Sequence, residues 1–307
     1  MDINLISFGK AIRKLREGLH LTQKDVSESS GINTETLRRI EHGRVIPRFE
    51  SLDYLSVTYK KDLINLFLQY QIDEYAYFYY LKNKLEIKFD KNEFYTLDKE
   101  VEKLKLLLDS TNNLFHENII RQLILLTEAV ISYKDNKDYN MALDNLEKAM
   151  KITIGDFNSA DYKSFTYSSM EVRILMNIAF VLNRLNYKEK YLEIIEFCLH
   201  HVDTDDKLYS KLSYNLAGAH YRNKNFHRAL IYSNIGIESC QKTSDFNGLN
   251  LLYYIKGLSE YKLNKENYIK SLNTSIALST SFGQNIITNT IIDNCENYLK
   301  IKLFQDF

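Results

Sequence analysis

The sequence has very few residues that interrupt helices. One proline, Pro47, and ten glycines are spread over 307 residues. Proline removes a backbone donor and glycine lowers helix propensity, so their scarcity after residue 50 leaves almost nothing to break a helix. Leu, Lys, Glu and Asn fill the remaining positions. An all-α fold is therefore predicted.

The sequence also lacks a disulfide framework and a long apolar run. Its three cysteines, Cys198, Cys240 and Cys295, are odd in number and far apart, which fits reduced thiols in a cytosol. No early apolar stretch resembles a signal peptide, and no run of about 18 apolar residues could span a bilayer. We therefore expect a cytoplasmic protein without a membrane partner.

The chain has no excess of charge of either sign. Its formal net charge is zero, so composition alone does not indicate nucleic acid binding. The distribution is uneven, because residues 1–61 carry 11 Lys/Arg and 8 Asp/Glu, whereas the remainder carries 29 and 32. The N-terminal part is thus the better candidate for phosphate contacts. The length itself suggests two domains, or one domain and a repeat array.

Two helices are predicted at the start of the chain. Apolar residues recur at helical spacing over residues 7–19, with Lys and Arg between them, which indicates an amphipathic helix. Thr22 and Asp25 have the spacing of a capping box, in which the hydroxyl and the carboxylate each accept a bond from a free backbone N–H. A second helix over about 22–29 follows.

A glycine turn leads from the second helix to a third. Gly31 permits a tight turn, and Asn33 can cap a helix that ends near Gly43. Two short helices joined in this way form a helix-turn-helix unit.

These residues resemble the Xre/Cro-type (lambda-repressor-like) DNA-binding domain. The resemblance covers about 60 residues and implies a DNA-binding domain over residues 1–62. It is carried by Ile12-Arg-Lys-Leu15-Arg16, Leu21-Thr-Gln23, Val26, Gly31-Ile32, Leu37, Ile40-Glu41, Gly43, Pro47 and Leu52.

The resemblance also implies roles in binding double-stranded operator DNA. Gln23, at the start of the second helix, would reach a phosphate. Thr34, Glu35, Arg38 and Arg39 would occupy the exposed face of the recognition helix, which reads base edges in the major groove. Arg39 is the predicted guanine contact, because its planar fork matches the two acceptors of that base.

Three further expectations concern this domain. The resemblance implies that Arg16 pairs with Glu41 in a structural role. Glu35 is unusual on a helix that faces DNA, because phosphate groups repel its carboxylate unless that carboxylate accepts a hydrogen bond from a cytosine amino group. One helix-turn-helix unit makes few contacts, so we expect a homodimer on an inverted repeat.

Residues 63–81 are apolar and rich in tyrosine, without a Gly/Ser linker. They predict a stiff helical connection between the DNA-binding domain and a second domain over residues 82–307.

An internal repeat is present in residues 82–307. Tyr133, Tyr139, Ala142, Leu146 and Ala149 have the spacing of a tetratricopeptide (TPR) helix pair. Further copies contain Leu216, Ala217, Phe226, Ala229 and Gly236; Ile178, Tyr187, Ile194 and Phe197; and Gly257, Tyr268 and Leu278. The marker aromatics Tyr139, Tyr187, Phe226 and Tyr268 are 48, 39 and 42 residues apart. A right-handed, TPR-like helical array is predicted, with small residues where helices approach closely.

A helix-turn-helix domain followed by such repeats resembles the RRNPP family of peptide-responsive regulators. The resemblance implies that a short signalling peptide binds the concave face made by the first helix of each pair, with its backbone held by asparagine amides. Asn177 and Asn215 stand one repeat apart, 38 residues. The predicted peptide contacts are Arg173, Asn177, Lys211, Asn215, Tyr254 and Lys256.

No catalytic motif is present. The sequence has no Gly-rich phosphate loop with Lys-Ser/Thr, no His-Glu-x-x-His and no Gly-x-Ser-x-Gly, so neither an enzyme nor a cofactor is predicted. His200 and His201 near Cys198 lack the second pair expected of a structural zinc site and indicate a polar helix end. Two functions remain: a peptide-controlled transcription factor, or a phage-type repressor whose repeats bind a protein partner.

Overall fold

The computed structural model describes residues 4–70, 73–90, 93–110 and 114–301. All regular structure in these ranges is helical and none of it is strand, which confirms the all-α prediction. The chain divides into two compact units, Met1–Lys88 with Lys99–Ile120, and Phe89–Asp98 with Arg121–Phe307. None of the helices in the described ranges is long and apolar enough to cross a membrane.

The N-terminal helices follow the predicted helix-turn-helix pattern. Thr22 and Asp25 form the capping box at the start of the second helix, and Gly31 ends that helix with φ 71°. Asn33 caps the third helix through a bond from the Glu35 amide. The helices are α1 Leu5–Gly18, α2 Gln23–Ser30, α3 Thr34–Glu41, α4 Phe49–Tyr59, α5 Leu63–Gln69, α6 Asp73–Asp90 and α7 Leu97–Ser110.

One apolar core joins α1 to α5. It consists of Phe8, Ile12, Val26, Leu37, Ile40, Leu52, Leu55, Tyr59, Leu63, Leu66 and Phe67. Helix α5 falls within the predicted connection of residues 63–81, and three of its side chains belong to this core. The domain boundaries at residues 62 and 82 stay predictions.

A buried carboxylate links α6 to α7. The Glu100 side chain is 2% exposed, and Lys84 and Lys88 of α6 lie 3.0 and 2.9 Å from its Oε1 atom. Lys103 of α7 pairs with Oε2. Burial raises the pKa of Glu100, but the hydrogen bonds from Lys88 and Lys84 lower it by more, to about 2. Glu100 is therefore ionised at neutral pH, and its charge is compensated.

The remaining helices of the described ranges follow one another as four successive pairs and one further helix. The marker aromatics Tyr139, Phe226 and Tyr268 begin the second helix of their pairs, and Tyr187 immediately precedes another, as the repeat pattern predicts. The helices are α8 Leu114–Ile131, α9 Tyr139–Lys151, α10 Ser169–Arg184, α11 Lys188–His200, α12 Lys207–Arg222, α13 Phe226–Thr243, α14 Leu249–Lys262, α15 Tyr268–Ser281 and α16 Asn285–Asp293.

The longest spacing between markers reflects a long connection. Residues 152–168 between α9 and α10 contain a 3₁₀ turn, Tyr162–Ser164, and two buried aromatics, Phe157 and Tyr162. The polar residues near Cys198 lie at a helix end as predicted, because α11 ends at His200. The three cysteines are free and buried.

The small residues of the repeat lie where helices approach closely. A Cβ atom on Gly257 of α14 would stand 2.7 Å from Cγ of Leu272 on α15. One on Gly236 of α13 would stand 2.7 Å from Cδ2 of Leu252 on α14. Both separations are too short for carbon atoms, so a side chain at Gly236 would require Leu252 to move, and one at Gly257 would also press on the Leu272 backbone nitrogen at 3.0 Å.

A buried ion pair fastens α1 to α3. Arg16 donates from Nε to Glu41 Oε1 at 2.7 Å, from Nη2 to Oε2 at 3.1 Å, and from Nη1 to the Leu21 carbonyl oxygen at 2.8 Å. The side chains of Arg16 and Glu41 are 12% and 1% exposed. The predicted structural pair is confirmed.

We expect Arg16→Met to lower the free energy of local unfolding of α1 and α3 by about 3 kcal/mol, because it leaves the Glu41 carboxylate buried without a cation. Native-state hydrogen exchange of the α1 and α3 amides in the full chain measures this change. Arg13→Met is the matched control, since Arg13 pairs with Glu17 at the surface and should leave exchange unchanged. Equal protection in the two variants would contradict the expectation.

Candidate DNA-binding surface and ligand cavity

Helix α3 has one buried and one exposed face. Leu37 and Ile40 are fully buried in the N-terminal core. The exposed face carries the four predicted base-contacting residues, Thr34, Glu35, Arg38 and Arg39. The predicted recognition face therefore points to solvent.

Two residues of this face are paired with each other. Arg38 donates from Nε to Glu35 Oε2 and from Nη2 to Glu35 Oε1, both at 2.8 Å. This bidentate bond lowers the pKa of Glu35, and the charges of Arg39 and Arg44 lower it further. The acid that the sequence marked as a departure is thus neutralised by its own helix.

Arg39 is differently placed. It is exposed, and no ion pair joins it to any acidic side chain in the described ranges. Arg44, which follows α3, is also exposed and close enough to act on Glu35 electrostatically. Sequence reasoning missed Arg44, although it is a basic residue only three positions after the end of α3.

Gln23 belongs to the buried ion-pair network of α1 and α3. Its Nε2 atom donates to Glu41 Oε2 at 2.7 Å, and the residue is half-buried. One N–H of the amide remains for another acceptor, because the amide group carries two. The phosphate contact of Gln23 stays a prediction.

The second unit contains a cavity of about 650 Å³. The lining comes mainly from the first helices of the pairs, α8, α10, α12 and α14. Four of the predicted peptide contacts line it: Arg173, Asn177, Lys211 and Asn215.

The other two predicted contacts do not line this cavity. The cavity meets α14 only at its first turn, through Gly248, Asn250, Leu251 and Leu252, whereas Tyr254 and Lys256 lie further along the helix. Tyr254 packs against an apolar core that includes Leu258, Leu272 and Ile291. The Lys256 ammonium lies 5.8 Å from the centre of the Tyr253 ring. The repeat pattern thus pointed to a helix that meets the cavity, but Tyr254 and Lys256 lie on turns of α14 that do not line it.

The two asparagines have similar but unequal bonding. Asn177 donates from Nδ2 to the Arg173 carbonyl at 2.8 Å, and Asn215 donates to the Lys211 carbonyl at 2.7 Å. Asn177 is 5% exposed, and its Oδ1 accepts from the Tyr133 hydroxyl at 3.1 Å. Asn215 is half-buried, and its Oδ1 has no hydrogen bond to another described residue. Asn215 is therefore the more available of the two.

Sequence reasoning missed two arginines of the cavity. Arg184 and Arg222 both line it and are themselves 38 residues apart. Each ends a helix on which the asparagine lies seven residues before it and another cation eleven residues before it. Eleven residues make about three helical turns, so the three positions share one face. The spacing was readable in the sequence as Arg/Lys-x₃-Asn-x₆-Arg in two consecutive repeats.

Comparison with known proteins extends this description. Residues 12–64 match the family model described as Helix-turn-helix. A comparison with curated protein sequences gives no match.

Solved structures resemble nearly the whole chain. Bacillus thuringiensis PlcR in complex with the peptide PapR7 and DNA is 19% identical, with 94% of this chain and 99% of that chain covered and a TM-score of 0.69. ComR from S. thermophilus, in complex with DNA and its signalling peptide ComS, is 15% identical over 94% and 98%, with a TM-score of 0.57. The Streptococcus dysgalactiae SHP pheromone receptor Rgg2 is 14% identical over 95% and 99%, with a TM-score of 0.54. The chain thus has a helix-turn-helix domain at residues 12–64 and shares the overall fold of PlcR, ComR and Rgg2.

Proposed function

We propose that this chain is a sequence-specific DNA-binding transcriptional regulator controlled by a short signalling peptide. The observation that carries the proposal is the cavity lined by Asn177 and Asn215, which come from consecutive repeats of a fold shared with peptide-bound and DNA-bound PlcR and ComR.

The cavity suits an extended peptide. Its volume of about 650 Å³ lies within the range of small-ligand sites, roughly 300–1,000 Å³. An asparagine amide can donate to a carbonyl and accept from an N–H, which matches the backbone of a peptide without a partner strand. The family resemblance favours a peptide of roughly five to ten residues. We propose that Asn215 makes such a backbone contact and that Asn177 lies behind it in the wall.

The exposed face of α3 supports the DNA-binding part of the proposal. Arg39 offers a free planar fork for the two acceptors of guanine. Arg38 is held by Glu35, so it contributes to base reading only if Glu35 exchanges it for a cytosine amino group or a water. We propose Arg39 as the main specificity residue, with Thr34, Glu35 and Arg38 beside it and Gln23 at a phosphate.

We expect Arg39→Ala to lower the ratio of specific to non-specific DNA binding by about 10- to 100-fold, which corresponds to the roughly 1–3 kcal/mol of one bidentate base contact. The wild-type protein first selects its site from a pool of random DNA duplexes. Affinity for that site and for a scrambled duplex is then measured for each variant by fluorescence anisotropy at fixed salt.

Two variants serve as comparisons for Arg39→Ala. Arg13→Ala removes the same charge from a surface pair on α1 and should leave the ratio unchanged. Gln23→Ala should weaken both duplexes by similar factors, because a phosphate contact carries no sequence information. A ratio retained in Arg39→Ala would contradict the assignment. Light scattering of the same complexes tests the proposed homodimer, with two chains expected per inverted repeat.

We expect the peptide and the DNA to change each other's affinity by the same factor, about 5- to 150-fold, because a regulatory ligand must bind the two functional states differently. Pools of synthetic heptapeptides are screened by the shift in melting temperature of the full chain. Calorimetry then measures the affinity of the best peptide with and without the selected duplex.

Asn215→Ala should weaken the selected peptide without lowering stability. Asn177→Ala serves as the comparison, because it also removes the acceptor of a buried tyrosine hydroxyl and should lower stability as well. Equal peptide affinity with and without DNA would rule out control by the peptide, and so would the failure of every pool to bind. The latter result would favour a protein partner for the repeats.

A further inference from the structure

We infer that the ligand of the cavity is an acidic peptide, with its C-terminal carboxylate and one acidic side chain held by cations of two consecutive repeats. This inference rests on the proposed peptide-binding function and specifies the chemistry of its ligand.

The charged residues that line the cavity in the described ranges are all cations. Five cations line it: Lys134, Arg173, Arg184, Lys211 and Arg222. The lining residues in the described ranges include no Asp or Glu. This contrasts with the whole chain, in which Lys/Arg and Asp/Glu are equal at 40 each. A wall made only of cations attracts an anion and repels a basic ligand.

Several of these cations have no protein counter-charge. Within the described ranges, no ion pair joins Lys134, Arg184 or Arg222 to an acidic side chain, whereas Arg228 on the outer helix α13 pairs with Glu196. Burial lowers the pKa of Lys134, and the charge of Arg184 lowers it further. A carboxylate between them would relieve both costs.

Two separate carboxylates can be assigned to the two arginines, which end consecutive first helices and line the same cavity. Each arginine presents the planar fork that binds a carboxylate through two parallel bonds. Helices α10 and α12, which carry them, contact each other, and packed helices lie about 8–10 Å apart. An extended chain advances about 3.3 Å per residue, so that distance corresponds to about three residues of peptide. We therefore place the acidic side chain three residues before the C-terminal carboxylate.

The rest of the wall favours a peptide over a small inorganic anion. Phe89, Leu126, Val130, Met176 and Phe180 also line the cavity. These apolar groups would bury the other side chains of the peptide and supply contact area that a phosphate or sulfate cannot use.

The test compares three pools of heptapeptides with free C-termini. The fourth residue, three before the last, is fixed as Glu, Gln or Lys, and the other positions are randomised over apolar residues. We expect the Glu pool to bind the full chain at least about 10-fold more tightly than the Gln pool, and the Lys pool to bind most weakly. Amidation of the C-terminus should weaken the Glu pool by a similar factor.

Variants of the arginines test whether these residues cause the preference for Glu over Gln. Arg184→Gln with Arg222→Gln should remove the preference for Glu and the effect of C-terminal amidation, and it should weaken the Gln pool by about 10-fold, because the free C-terminus of that pool also loses its arginine. Arg228→Gln removes an arginine outside the cavity and should change neither pool. Because the substituted residues are exposed helix ends, the fold should be retained, and melting temperatures measured without peptide check this directly.

The outcomes separate this inference from the proposed function. Pools that bind equally, a tighter Lys pool, or a preference for Glu that survives in the double variant would overturn the inference and leave a peptide-binding regulator. Failure of all three pools, and of their amidated forms, would overturn the peptide-binding proposal and the inference with it.

Discussion

The close approach of helices at positions without side chains sets the geometry of the repeat unit. Gly257 admits Leu272, and Gly236 admits Leu252, at distances that a single methyl group would prevent. At these two positions, the contacts determine how closely the second helix of a pair approaches the first helix of its own or the next pair. The first helices, which line the cavity, are the inner helices. The spacing between inner helices follows from that packing, and so does the cavity that they line. A side chain at Gly236 would therefore displace Leu252, which also lines the cavity.

The inner helices combine this packing with a polar wall. On α10, Ile174, Leu175 and Ile178 are fully buried, while Arg173 and Arg184 lie on the cavity side. The same helix thus contributes to both the apolar core and the cavity wall, because a period of 3.6 residues per turn places the apolar and the polar side chains on different faces. The same pattern recurs on α12, so the fold holds two similar rows of polar side chains, one on each helix, at a fixed separation. Rigid helices hold such rows more precisely than loops would.

Local patterns in the sequence were sufficient to predict the helices of the fold, but they predicted only part of the two candidate sites. The capping box at Thr22, the turn at Gly31 and the aromatics that begin second helices depend on neighbouring residues, and all were readable. The cavity side of α14 was not, because it depends on how consecutive pairs rotate against one another, which brings Asn250 rather than Tyr254 to the cavity. The pairing of Arg38 with Glu35 was also missed, although a spacing of three residues on a helix permits it.

Although the net charge is zero, cations are concentrated in two places, one on an exposed helix face and one inside a cavity. Arg39 lies on a convex, exposed helix face, where salt screens its charge and a long polyanion can reach it. Lys134 lies inside a cavity, where burial already lowers its pKa. Charges in such a site interact more strongly, and a cavity of about 650 Å³ cannot admit a duplex. Burial of Lys134 is unfavourable in the ligand-free protein, and the proposed anionic ligand would offset that cost. Binding of the proposed ligand would therefore also stabilise the repeat unit.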